Sequence, residues 1–229
     1  MVGRLSLRAQ RNLPCEEGYF TFSYSPIRDD NGSVGGIFCA CSETTSRVLG
    51  ERRLKTLNDL GRMEADAQTA ENTCEIAART LGENPNDIPF ALIYLLDKDG
   101  LQADLIAASA LQPGSVGAPL KVVLTDGFDS LSSWPLRGTL ETGQAQLVSD
   151  LSRRFGPLPG GPWPESPEAA RIAPIASPGQ ARATGFLVSG LSPRCVVDSN
   201  YRSFFATRCR ASWHLDCECA RLRVGAPAC

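Results

Sequence analysis

From Gly18 to Tyr24 the chain reads Gly-Tyr-Phe-Thr-Phe-Ser-Tyr, which puts Phe20, Phe22 and Tyr24 on one side of an extended segment. Asp29-Asp30-Asn31-Gly32-Ser33 follows, a turn signal because Asn and Gly accept positive φ. Val34 to Cys41 is again apolar and β-prone. The two runs predict a β-hairpin. A lone hairpin is marginal in water, so it must pack on something or belong to a larger sheet. The period then changes. Residues 44–66 carry Val48, Leu49, Leu54, Leu57, Leu60 and Met63 at helical spacing, with Ser42, Thr44 or Thr45 placed to cap the first free N–H groups. This stripe suits either a short coiled coil between two subunits or a helix packed on its own domain. Its heptad is imperfect and short.

From Ala67 onward the pattern predicts a compact unit of mixed helices and strands. Thr69 to Leu81 places Ala70, Cys74, Ala77, Ala78 and Leu81 on one helical face, and Asn84-Pro85-Asn86-Asp87 ends it. Phe90–Leu96 and Leu101–Leu111 predict two strands around the tight turn Asp97-Lys98-Asp99-Gly100. A helix is expected over Ser133–Glu141, closed by Gly143 in a C-cap position. Gln146–Val148 predicts a short strand, and Arg171–Ser177 with Thr184–Ser189 a final pair across Ser177-Pro178-Gly179-Gln180. The Gly/Pro-rich stretch from Phe155 to Pro167 predicts a long loop over the sheet. It either lids a pocket with Trp134 and Trp163 or, more simply, lays its tryptophan down as a hydrophobic anchor.

Composition narrows the function. Of 229 residues, 42% are hydrophobic and 21% charged, the balance of a globular protein able to bury a core. A net charge of -2 lacks the basic surface that nucleic acid requires. The longest apolar run, Phe90–Leu96, is far short of a bilayer span, and Arg4, Arg8 and Arg11 are followed by no signal-peptide core; a cytoplasmic location is the expectation. Nine cysteines do not form an even, secreted-type framework. Cys39 and Cys41 share one strand face, and Cys209, Cys217, Cys219 and Cys229 crowd the last 21 residues.

Residues 19–47, YFTFSYSPIRDDNGSVGGIFCACSETTSR, closely resemble the last two strands and the exit of a PAS domain, whose final strand runs into a signalling helix. What precedes Gly18 is too short for the first half of such a domain, so ligand binding by this part is not expected. Within residues 67–206, NPNDIPFALIYLLDKDG, SSWPLRGTLETGQAQLVSDL and ATGFLVSGLSPR resemble the GAF regions that follow PAS domains in large bacterial sensor histidine kinases. The resemblance implies an α+β (α/β) fold: a GAF-type antiparallel sheet flanked by helices, preceded by a PAS-derived hairpin and a linking helix. It divides the chain into a PAS remnant (1–43), a signalling helix (44–66), a GAF domain (67–206) and an aberrant tail (207–229). It implies a non-catalytic sensory module of a two-component kinase, homodimeric through the linker helix, with a small-molecule ligand as its partner. The alternative is a stand-alone ligand-binding or dimerisation protein that pairs with a signalling partner. Tyr94, Trp134 and Phe186 are the candidate ligand-binding residues.

Neither catalytic nor cofactor chemistry is legible. No Walker loop or Gly-rich strand-to-helix turn occurs. The central domain has no histidine for heme, and Asp87-Ile88-Pro89, which resembles a phytochrome tripeptide, precedes the first strand of the domain, the wrong place. No cofactor and no metal is expected. An enzyme on this fold would need a reactive thiol, for which Cys74 and Cys195 are the domain candidates. In the tail, Cys209, His214, Cys217 and Cys219 do not match a structural-zinc spacing. The tail also lacks the amphipathic period of a closing helix. Read one base later through one permitted codon set, Ala206–Arg223 becomes QLVAGHLGTWIANARAYE, similar to the closing helix of the family. The tail is therefore expected to be an out-of-frame product that cuts the chain before a kinase core.

Overall fold

The computed structural model describes the backbone of residues 2–9, 16–62, 69–125, 133–176 and 183–210, and side chains within 16–205 of these. The chain divides into two units: Met1–Leu54 with Arg194–Val197, and Lys55–Pro193 with Asp198–Cys229.

In the first unit the predicted hairpin exists and is larger than the pattern implied. Its strands are β2 (Glu16–Arg28) and β3 (Val34–Glu43), and a third strand, β1 (Val2–Ala9), pairs antiparallel with β2. Sheet order is β1-β2-β3, which leaves β3 at an edge. The missed strand carried a signal: Leu5, Leu7 and Ala9 alternate with Arg4, Ser6 and Arg8, and the arginines obscured the period. At the turn, Asp29 Oδ1 accepts from the amides of Asn31 (3.1 Å) and Ser33 (2.8 Å), while Gly32 takes φ +81°.

Helix α1 (Thr45–Arg62) follows β3 directly. The carbonyl of Thr44 accepts its first helical bond, from Val48 N–H (3.1 Å). The hydroxyls have a different use from the one the sequence suggested. Thr45 Oγ1 accepts from Tyr19 N–H (2.9 Å), and Thr44 Oγ1 donates to Tyr19 O, so both pin the helix start to β2.

The second unit is a six-stranded antiparallel sheet, in order β6-β5-β4-β9-β8-β7. Its strands are β4 (Ala91–Leu96), β5 (Gln102–Ser109), β6 (Lys121–Val123), β7 (Gln146–Ser149), β8 (Ala169–Ile175) and β9 (Gly185–Gly190). The helices are α2 (Ala70–Gly82), α3 (Leu136–Thr142), α4 (Leu151–Phe155) and α5 (Ser199–Arg210). Sequence patterning had supplied neither β6 nor α4, whose three and five residues are too short to show a period.

Alternation sorts the sheet into two buried faces. Leu92, Tyr94, Phe186, Val188, Ile172 and Ala170 point one way into an aromatic core. Ala91, Ile93, Ala173 and Leu187 point the other way and are also buried. Helix α2, packed on β4 and β5, buries the predicted stripe of Ala70, Cys74, Ala77, Ala78 and Leu81. Thr69 Oγ1 caps it by accepting from Asn72 N–H (3.2 Å). Gly143 closes α3 at φ +62°, as its position predicted. Helix α5 lies against β8, where Arg171 Nη1 donates to Phe205 O (3.2 Å). Among the described residues no helix is long and apolar enough to cross a membrane.

Candidate functional site

Tyr94, Trp134 and Phe186 meet in one buried cluster of the second unit. β4 and β9 set Tyr94 opposite Phe186 in register, and the segment entering α3 delivers Trp134. Two aromatics that the sequence did not single out complete the cluster. Phe155, at the end of α4, lies with its ring centroid 4.4 Å from that of Trp134, and Phe90 stands at 6.2 Å. Phe155 was obscured by its place at the mouth of a Gly/Pro-rich stretch, where a loop is the natural expectation.

The polar tips of the two amphipathic aromatics converge on one loop. Tyr94 Oη donates to Pro119 O (3.0 Å), and Trp134 Nε1 donates to Gly117 O (2.9 Å). Buried Tyr and Trp need such partners, and here the partners are carbonyls two residues apart. The loop is folded on itself as well: Gly114 N–H donates to Ala118 O (2.8 Å) and Ala118 N–H to Ser115 O (3.0 Å). A Cβ added at Gly117 would lie 2.7 Å from Leu158 Cδ2, so a larger residue there would push the Leu158 side chain aside. Burial raises the Tyr94 phenol above its ordinary range, which keeps it a neutral donor. On α3, Leu136 and Thr139 face inward one turn apart, and the Thr139 hydroxyl is buried with no hydrogen-bond partner.

The long loop is an anchor at its tryptophan. Trp163 Nε1 donates to Asn86 O (3.4 Å), and Gly161, at φ +71°, lies so close to Pro85 that a Cβ would sit 2.3 Å from its carbonyl oxygen. Leu158 reaches the aromatic core from the same loop.

Neither Cys74 nor Cys195, the two candidate thiols, is placed to react. Cys74 is fully buried on the inner face of α2, and desolvation, helped by Glu71 and Glu75, pushes it up to about 12. Cys195, also buried, donates to Glu17 Oε2 (3.8 Å) within the first unit. Among the described residues no group of three His, Cys, Asp or Glu side chains could hold a metal. The tail residues Cys217, Cys219 and His214, the side chain of Cys209, and the shifted-frame segment beyond residue 210 lie outside the described residues.

No protein-family model matches the sequence, and no curated protein matches it. Solved structures do. The GAF domain of an Acinetobacter phosphoenolpyruvate-protein phosphotransferase superposes with a TM-score of 0.51 at 18% identity, covering 77% of this chain and 98% of its own. The corresponding GAF domain from Coxiella burnetii gives 0.51 at 20% identity, covering 76% and 95%. The fold is GAF-like. A third similar structure, the reduced form of fRMsr from Staphylococcus aureus, gives 0.50 at 13% identity over 71% of this chain and 94% of that one. The GAF-like sheet, with its aromatic core on one face and α2 on the other, is the α+β arrangement that the sequence resemblance implied.

Proposed function

We infer that this chain is a non-catalytic sensory module. A PAS-derived sheet (residues 1–43) leads through a signalling helix (44–66) into a GAF-like domain (67–206) that takes a small, neutral, flat molecule. The observation that carries the reading is the pair of hydrogen bonds from Tyr94 and Trp134 to the loop carbonyls of Pro119 and Gly117. In this reading the loop is a detachable cover over the apolar core. A ligand that inserts beside the rings takes over one or both donors and frees the loop. Thr139 offers a further polar contact. The core beneath the loop is aromatic and aliphatic, so the specificity of a site opened there would come from shape and from those few polar tips.

The setting that suits such a module is a two-component histidine kinase working as a homodimer through α1. Support comes from the helix itself. Its buried positions are Arg53 and Thr56, while Leu54 is more than half exposed. An apolar residue turned to solvent on a helix with polar buried positions is what a helical partner would cover.

An enzymatic reading has one point in its favour, the likeness to fRMsr in a reduced form. Thiol chemistry needs an accessible thiolate, however, and Cys74 has neither exposure nor a lowered pKa.

The test is a thermal-shift screen of neutral aromatic heterocycles against the full chain, followed by hydrogen exchange. A ligand that inserts beside these rings raises Tm and changes protection at residues 112–120, and Y94F/W134F abolishes both effects. A screen without a single Tm shift, or a shift unaffected by Y94F/W134F, rules this reading out.

A further inference from the structure

We propose that the connection between α2 and β4 is a rigid link through which helix α1 holds helix α5, so that a shift of one helix is felt at the other without passing through the sheet. The link is a continuous run of buried hydrogen bonds, all within the second unit. The Asn84 side-chain amide donates to Thr56 Oγ1 on α1 (3.0 Å) and to Asp87 Oδ2 (3.0 Å). The main-chain carbonyl of Asp87 accepts from Tyr201 Oη on α5, and that hydroxyl accepts from Ser192 N–H (3.0 Å), just past β9. Thr56, Asn84, Asp87, Ser192 and Tyr201 are all buried.

Stability alone is a poor reason for such an arrangement. Burying an amide, a carboxylate and two hydroxyls costs free energy that their hydrogen bonds only offset, and well-packed apolar side chains would hold the same elements together at least as firmly. What directional bonds add is position. Apolar surfaces slide over one another with little change in energy, whereas the Asn84 amide commits its two hydrogens to two acceptors. Turning that amide over would bring its oxygen against the Asp87 carboxylate, so its orientation is set as well.

The connection has little slack with which to absorb a displacement. Its turn is closed by Asn84 N–H to Leu81 O (3.2 Å) and by Ile88 N–H to Asn84 O (2.9 Å). From outside, Gly161 packs on Pro85, and Trp163 Nε1 donates to Asn86 O. At the far end, Tyr201 stands in the first turn of α5, where Asp198 Oδ1 accepts from its N–H (2.7 Å). The first turn sets the direction of a helix, so anchoring Tyr201 aims α5. A movement of Thr56 along the α1 axis therefore either breaks its bond to Asn84 or is handed on to Asp87 and Tyr201.

The link does not depend on a ligand beside Trp134, and it is tested without one. Hydrogen exchange is followed by mass spectrometry on the full chain and on T56V, T56S, Y201F and V122A. T56V removes the acceptor at nearly constant shape, T56S keeps it, and V122A loosens the core at β6, an edge of the sheet that takes no part in the link. Exchange over residues 199–205 is read relative to that of β4 (Ala91–Leu96), which cancels a general loss of stability. The link requires this ratio to rise at least about threefold in T56V and to stay at the wild-type value in T56S and V122A. Y201F must raise exchange over residues 55–62 in the same way. A T56V effect confined to α1, an equal rise in V122A, or no rescue by T56S overturns the proposal. T56V/Y201F completes a double-mutant cycle in urea unfolding. Once one end of the link is cut, cutting the other costs less, so the unfolding constant of the double variant falls at least about twofold short of the product of the two single effects. A double variant that reaches that product overturns the proposal as well.

Discussion

The Arg52 guanidinium grips both carboxylate oxygens of Glu17, Nη1 to Oε1 at 2.7 Å and Nη2 to Oε2 at 2.9 Å, and the Glu17 side chain is 99% buried. Tyr19 Oη donates to Oε1 of the same carboxylate, and the main chain of Glu17 donates to Arg194 O (3.0 Å). A buried pair of this kind adds little net stability relative to an apolar replacement, but removing one partner strands the other. R52M therefore costs about 3 kcal/mol in urea unfolding, and E17Q/R52M costs clearly less than R52M alone. A double variant at least as unstable as R52M would show that the pair is not the reason.

Tyr201 sets a second expectation. Its hydroxyl donates to Asp87 O and accepts from Ser192 N–H (3.0 Å), with every group buried. Y201F keeps the ring and takes the hydroxyl away from a buried carbonyl and a buried amide, so about 2 kcal/mol of stability is lost. Equilibrium denaturation would detect that loss, and a change below about 0.5 kcal/mol would mean that water replaces the hydroxyl.

Gly161 tests how firmly the long loop is held. G161A must adopt φ +71° and bring a Cβ against Pro85 O, so a loss of about 2 kcal/mol is expected. The loop should detach where Trp163 anchors it. Quenching of Trp163 by acrylamide, read in W134F/W213F, therefore rises in G161A; unchanged quenching would leave the anchor without support.

Alkaline pH should weaken the fold in a defined window. Cys74 has a folded pKa near 12 against an ordinary 9, and Tyr19 is raised from 10 to about 12, in both cases chiefly by desolvation. Both are acids whose folded pKa lies above the unfolded value. The unfolded chain then loses protons first, and stability, complete below pH 9, falls as pH climbs from 9 towards 12. C74A removes the early part of that decline. The same burial predicts that Cys74 reacts with a thiol reagent only at the rate of unfolding. Fast labelling of Cys74 in the native protein at pH 8 would contradict it.

Much of the GAF-like unit was legible because its elements carry their own periods. The α2 stripe from Ala70 to Leu81 and the strands around Leu92 and Phe186 are written in the pattern of apolar positions. Tyr94, Trp134 and Phe186 could be named as candidates, yet their meeting point in the core depends on a loop, residues 112–120, whose sequence has no period. The same holds for Phe155, which a five-residue helix carries into the core. In the first unit the aromatic alternation of β2 was plain, whereas β1 is visible only once its partner supplies the register. The Glu17 cluster is unreadable from sequence in principle, since nothing local in Glu17 names Arg52, 35 residues on.

The membership of Arg194–Val197 in the first unit has a consequence for biosynthesis. Glu17 and Cys195 are 178 residues apart, and at roughly 5–20 residues per second a ribosome needs about 10–35 s between them. Throughout that interval the nascent amino-terminal sheet waits without its last segment, and an edge strand rich in apolar residues faces the crowded surroundings of the exit tunnel. The order of synthesis, as much as the final energy, decides what β3 meets first.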